Sequence, residues 1–328
     1  MWSRSRTAST TPSFPRPSPT PSPCTRRPTG TSADPKGHVV ANFVQLVILG
    51  LLAGGVYVAV GVGFGLVWGV LNIVNLAHGA LVIIGGYITW QLFTAFHLDP
   101  FLTLPIDAVA LFVLGYALQR GVINRIIRAP LLFTFLLTFG LNLVIVNILL
   151  LIFGSDFRSV TPAYAGKGLE FGSIVIPYVP LISLGAAILL SAALAFILNR
   201  TRIGLAINAI AADRDAAQLV GIDLRHAYAV TFGLGAACAG VAGGLIALIQ
   251  AITPTAGEPY TLQAFVVVIL GGLGRVSATV VGGLAFGLVE AFGQSLPGSG
   301  SVFANAIAFG LMVLVLVTRP QGLMGRLR

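Results

Sequence analysis

Residues 131–153 read LLFTFLLTFGLNLVIVNILLLIF, a stretch without one charged side chain. An α-helix needs about 20 apolar residues to cross a bilayer core of roughly 30 Å. Residues 177–198 and 227–252 are equally free of charge. Only 9% of the 328 residues are charged and 56% are hydrophobic, whereas a soluble domain is about a quarter charged. A transmembrane β-barrel would show short alternating segments instead. The chain therefore reads as all-α, a polytopic transmembrane helical bundle.

The distribution of basic residues sets the expected topology. Six of the 19 Lys and Arg lie in residues 1–42, three in 120–128, four in 200–225 and three in 319–328. Only Arg158, Lys167 and Arg275 lie elsewhere. Basic clusters separated by apolar spans follow the positive-inside rule, so the net charge of +9 reports topology and not nucleic-acid binding. Loops 120–130 and 199–226 and both tails are expected in the cytoplasm, with 97–100, 154–176 and 253–262 outside. Parity then demands three crossings in 43–96, one of them the short, Gly-rich segment 63–76. It demands three more in 263–318, one of them short (263–274). The expected total is about ten crossings, two short or discontinuous, with both termini cytoplasmic. A broken segment in each half is a pointer to a transport pathway in repeat-built transporters.

Residues 1–38 are rich in Ser, Thr, Pro and Arg and are expected to be disordered, since they hold too little apolar surface to offset chain entropy. They lack a secretory h-region. A transit peptide suits the composition, but a start placed upstream of a true beginning near Val39 or Val40 suits it better. The transmembrane domain is expected to run from 39 to 328. Cys24 and Cys238 are too few for a disulfide framework or a zinc site. The scattered histidines form no metal cluster, and no cofactor is implied. Gly61, Gly65 and Gly69 recur every four residues, as do Ala236, Gly240 and Gly244, a spacing that lines one helix face and lets backbones approach closely.

In the loop 199–226, Ala206, Ala209, Ile210, Ala217 and Val220 repeat at helical intervals, with Arg214, Asp215 and Gln218 between them. Gly221 is expected to end that helix and Asp223 to cap the next. Such an amphipathic helix either docks a partner protein or lies passively in the lipid interface.

Five stretches, in this order, resemble the permease subunits of branched-chain amino-acid ABC importers, the LivH-type family. They are GLVWGVLNIVNLAHGALVIIGGY (65–87), RAPLLFTFLLTFGLNLVIVNILLLIFG (128–154), GLAINAIAADRDAAQLVGIDLRHAYAVTFGLGAACAGVAGGL (204–245), FVVVILGGLG (265–274) and RPQGLMG (319–325). The resemblance covers roughly residues 43–328. It implies a translocation subunit paired with a second, related permease, two cytoplasmic ATP-binding subunits and an extracytoplasmic substrate-binding protein. It also implies a coupling helix with an E-A-A-x3-G pattern, which Asp215, Ala216, Ala217 and Gly221 match with Asp for Glu. Arg214 precedes that pattern. Arg275, Ser277 and Ala278 depart from the family's usual residues, and Arg275 is expected to make a contact of its own. No phosphate-binding loop is present, Gly166-Lys167-Gly168 lacking the required glycine and hydroxyl residue, so ATP hydrolysis would belong to separate subunits and the chain is not an enzyme.

Within the membrane, Asn72, Asn75, His78 and Gly79 mark one expected break beside the substrate pathway, and Gly271 and Gly272 its counterpart. The polar residues of the first break either touch substrate or satisfy the broken backbone. Asn142 and Asn147 are expected to bond between helices. Asp107 and Glu290 are candidate functional carboxylates or hydrated residues near helix ends. Two other readings stay open: a stand-alone channel for a small polar solute such as urea or an amide, with its two half-helices capped at the two breaks, and a proton-coupled carrier using Asp107 or Glu290.

Overall fold

The computed structural model describes residues 35–126, 130–171, 174–272 and 274–295, with helical positions at 306–307, 309–310, 313–314 and 317. Of the tail 1–38, residues 1–34 lie outside the described residues, as do most of the last helix and the basic C-terminal tail, while residues 35–38, expected to be disordered, are helical. The helices are α1 (Pro35–Leu71), α2 (His78–Phe96), α3 (Pro100–Gly121), α4 (Leu131–Phe153) and α5 (Tyr178–Arg200). They continue with α6 (Arg202–Ala212), α7 (Arg214–Leu219), α8 (Leu224–Ile249), α9 (Gly257–Gly271) and α10 (Val276–Gln294). Between α4 and α5 the polar loop holds a small antiparallel hairpin, β1 (Gly168–Phe171) and β2 (Ile174–Pro177). Among the described residues 7 helices are long and apolar enough to cross a membrane: α1, α2, α3, α4, α5, α8 and α10. The chain is a multi-pass helical membrane protein.

Polar caps set several helix starts. Asp99 accepts from the amide of Phe101 ahead of α3, with Pro100 at the first helical position. Thr201, Asp213 and Asp223 cap α6, α7 and α8 in the same way. Each such cap contributes about 1 kcal/mol by satisfying an otherwise orphaned amide. Asp213 therefore divides the helix expected over 206–221 into α6 and α7. Ile210 and Ala217 are buried in the chain's own core, while Val220, just past the end of α7, is exposed.

The core centres on α8, enclosed along most of its length, while α4 shows most of its surface outward. Both glycine rows serve helix packing. Gly61, Gly65 and Gly69 on α1 let Val267, Val268, Thr279 and Gly274 approach their backbone. Gly240 and Gly244 on α8 lie against Asp107, Leu111 and Leu104 of α3. A methyl group at Gly244 would stand 2.8 Å from Asp107 Oδ2.

The same glycines overturn the expected short crossing at 63–76. Helix α1 runs unbroken through residues 63–71, and only 72–77 leave the helical conformation. In hydrocarbon a helix has no water to replace its own backbone bonds, so glycine does not break it by itself.

The two ends of α1 fix relative sidedness. Gln45 makes a paired contact with β2: its Nε2 donates to the Val175 carbonyl (2.7 Å) and its Oε1 accepts from the Val175 amide (2.9 Å). At the other end, Arg214 Nη2 donates to the Leu71 carbonyl (2.6 Å). The 26 residue steps between Gln45 and Leu71, at about 1.5 Å each, exceed the hydrocarbon thickness. The hairpin and the 199–226 loop thus lie on opposite faces, and the start of α1 shares the hairpin's face. Single cysteines at Asn42 and Lys167, in a background without Cys24 and Cys238, should react with an impermeant maleimide from one side of the membrane. A cysteine at Leu219 should react only from the other; shared labelling of all three would contradict this topology.

Candidate functional site

After Leu71 the chain turns through Asn72, which adopts φ 55°, and its amide donates to the Trp68 carbonyl (3.0 Å). Asparagine tolerates this left-handed conformation better than most residues, which accounts for one polar position of the break. Asn72 is exposed, at the face of the 199–226 loop. Residues 72–77 then climb back into the bundle. His78, the first residue of α2, meets the Val60 carbonyl through Nε2 (3.0 Å). Val60 lies 11 residues before Leu71, about 16 Å along α1, so α2 begins deep in the membrane.

A second helix begins at the same depth. Residues 250–256 descend from the hairpin's face, where Ile252 and Arg158 exchange two backbone hydrogen bonds (2.7 and 3.0 Å). Helix α9 then starts at Gly257, which packs directly on Gly79. A methyl group built on Gly79 would lie 1.9 Å from the Gly257 carbonyl oxygen. Only glycine permits this contact. The N-termini of two helices running in opposite directions thus meet inside the bundle, each carrying roughly half a positive charge from its unpaired amides.

Short-range acceptors answer those amides. Asn75 Oδ1 accepts from the Ala77 amide (3.1 Å), and the Asn75 carbonyl accepts from the His78 amide (3.2 Å). Thr261 Oγ1, from α9, accepts from the Gly79 amide (2.8 Å). Thr138 on α4 donates to the Val74 carbonyl (3.2 Å). Because the Val60 carbonyl only accepts, His78 Nε2 carries the hydrogen of that bond, leaving Nδ1 buried without a partner. Asn75, His78 and Gly79 are all buried. Aromatic rings close the junction beneath: Phe64 meets His78 edge-on (5.4 Å), and Trp68 stacks on Phe265 (4.9 Å, 11°).

The structure therefore unites Asn75, His78 and Gly79, with Asn72 below them. It sets Gly271 and Gly272 elsewhere, at the far end of α9 against the start of α10. A methyl at Gly271 would lie 2.1 Å from the Ala278 carbonyl, and Gly272 has φ 113°. LGGLG is a helix break, between α9 and α10, but the segment that meets Gly79 is 250–257. Gly257, Thr261, Val60 and Phe265 are the junction residues that sequence reasoning missed. The signal available was GEP at 257–259, an acidic residue and a proline in a first turn, which marks a helix start six residues before the expected one at 263.

At the loop 199–226, Gly221 ends α7 with φ 83°. Its amide reaches the Gln218 carbonyl (3.0 Å) and the Ile222 amide reaches that of Ala217 (3.2 Å), a Schellman closure. Leu219 and Val220 are 88% and 78% exposed, an apolar tip at the end of α7. Asp215 and Ala216 are exposed and Ala217 is buried. Arg214 points the other way, onto the last carbonyl of α1, with its guanidinium 5.7 Å from the Tyr228 ring centroid. A cation there also suits the negative end of the α1 dipole.

Other polar residues fall into place around these. Asn147 bonds back to the Leu143 carbonyl of its own helix (2.8 Å) and is exposed, so it does not bridge helices as expected; Asn142 is buried. Arg275 is exposed at the start of α10, and Glu290 accepts from Gln294 one turn on (3.3 Å). Asp107 is fully buried between α2, α3 and α8.

Comparison with known proteins supplies the family. The family model described as branched-chain amino acid transport system / permease component matches residues 46–316. The chain belongs to this family. It is 28% identical over 300 residues to the high-affinity branched-chain amino acid transport system permease protein BraD of Pseudomonas aeruginosa, covering 88% of this chain and 97% of that one. It is 27% identical over 297 residues to LivH of Escherichia coli, covering 87% and 96%. It is also 27% identical over 298 residues to LivM of the same organism, covering 82% and 68%. No solved structure matches it. The buried glycine pair of the junction leaves no room for a methyl group. Gly79→Ala should prevent accumulation of folded protein in the membrane. Thr261→Val should lower the thermal midpoint of purified protein, since an orphaned buried amide costs about 1–3 kcal/mol, while Thr261→Ser should not.

Proposed function

We propose that this chain forms one half of the membrane pore of an ATP-binding-cassette importer. It translocates branched-chain or closely related hydrophobic amino acids across the inner membrane by alternating access. Its partners are a second related permease, two ATPase subunits docked on α6 and α7, and an extracytoplasmic binding protein that selects the substrate. Family membership and the full-length match to BraD and LivH support the cargo. That LivH and LivM are distinct permease proteins of one organism's branched-chain systems supports the pairing. In this reading loop 199–226 is cytoplasmic, and the hairpin and the start of α1 face outward.

The observation that carries the mechanism is the Arg214–Leu71 contact. Leu219 and Val220 offer an apolar tip to a docking subunit, while the first residue of the same short helix holds the end of α1. Leu71 continues through 72–77 directly into the Asn75–His78–Gly79 junction. A push on α7 is thereby delivered to the point where α2 and α9 meet. The polar residues of the junction serve the broken backbone in this conformation, and alternating access would part or tilt the two half-depth helices. An amino acid passing there would present its carboxylate to converging helix N-termini, whose dipoles favour a negative group.

Asp215→Arg, which reverses an exposed charge on α7, should lower ATP-driven uptake in the assembled transporter roughly tenfold or more, since charge reversal at a docking surface disrupts its electrostatic complementarity. Membrane insertion should stay normal. Undiminished coupling of ATP hydrolysis to uptake in that variant would count against docking at α7. Uptake that persists without ATP or partner subunits would favour a stand-alone channel.

A further inference from the structure

Asp107 sits at the centre of the bundle and takes no part in the break or in the loop. It is fully buried on α3, and none of the ion pairs among the described residues involves it. Its Oδ1 has no partner. Its Oδ2 begins a line of oxygens: 2.6 Å to Thr89 Oγ1, 3.1 Å from there to Thr103 Oγ1, and 2.8 Å from Thr103 Oγ1 to the Pro100 carbonyl. Thr89 and Thr103 are likewise buried, so bulk solvent does not reach these contacts.

Counting hydrogens favours one filling of this line. Each hydroxyl supplies one hydrogen, and the Pro100 carbonyl supplies none. Two hydroxyl hydrogens cannot occupy three oxygen–oxygen contacts. With an ionised carboxylate, one close contact would set lone pair against lone pair, and a negative charge would stand in hydrocarbon without a cation. A third hydrogen on Asp107 removes both problems. We infer that Asp107 is held as a neutral carboxylic acid, donating from Oδ2 to Thr89, which donates to Thr103, which donates to the Pro100 carbonyl. The chain runs one way, from α3 to α2 and back to the first turn of α3. It makes Asp107 a positioning residue that fastens α2 to α3 beside Gly244, and not a proton carrier.

The protein itself provides the readout. Infrared difference spectra of the wild type against Asp107→Asn, recorded in membranes, should show the C=O stretch of a protonated carboxyl group that the variant lacks. Thr89→Val should shift that band, because the acid loses the oxygen it donates to; a merely space-filling Thr89 would leave it in place. Asp107→Asn should keep assembly and uptake, since an amide also donates to Thr89, whereas Asp107→Leu should lose assembled protein. A carboxylate stretch in place of the acid band would overturn the protonated state. Loss of uptake in a normally assembled Asp107→Asn transporter would overturn the positioning role and restore the proton-carrier reading.

Discussion

Every backbone amide and carbonyl that leaves a helix inside hydrocarbon must find another partner. That constraint governs the junction on which the rest of this bundle depends. Residues 72–77 leave helical bonding as they run from the face of the 199–226 loop to the buried start of α2, and each described compensation comes from a specific neighbour. Asn75 serves Ala77 and His78 locally, Thr261 serves Gly79 across from α9, and Thr138 serves Val74 across from α4. The two helix starts can share these acceptors only because Gly79 and Gly257 let the backbones touch. The polar residues and the glycines are thus one solution to one problem.

Close packing elsewhere follows from the same absence of water. Apolar surface gains nothing by leaving lipid for another apolar face, so helices associate through tight contact and internal hydrogen bonds. The glycine rows of α1 and α8 provide the first, and the line from Asp107 to Pro100 provides the second. The Arg214 contact adds a link between layers: it fastens a short helix outside the membrane to the last turn of α1, whose chain leads straight into the junction. From that hydrogen bond the chain runs through residues 72–77 to the meeting point of α2 and α9.

Much of this was legible in the chain. Uncharged runs announced the spanning helices, Asp223 and Gly221 marked a cap and a stop that both exist, and the small-residue rows marked real packing faces. The departures from that reading have separate causes. Positive-inside parity forced an extra crossing onto 63–76, because it could not register that residues 72–77 turn back toward the interior. LGGLG was singled out for its glycine repeats and is a helix break, between α9 and α10. The segment that pairs with 72–79 is 250–257, a stretch distinguished mainly by GEP at the start of α9.

The sequence by itself determined the membrane class, the helical bundle and the family, because hydropathy, charge placement and motif order are local properties that survive without coordinates. Only the tertiary structure decided which half-depth helix meets which, why His78 is held at Val60, and where Arg214 turns. These depend on residues as far apart as Gly79 and Thr261 being brought within hydrogen-bonding distance. No periodicity along the chain records such a contact. Burial then makes each one obligatory, since a polar group in hydrocarbon has no solvent to fall back on.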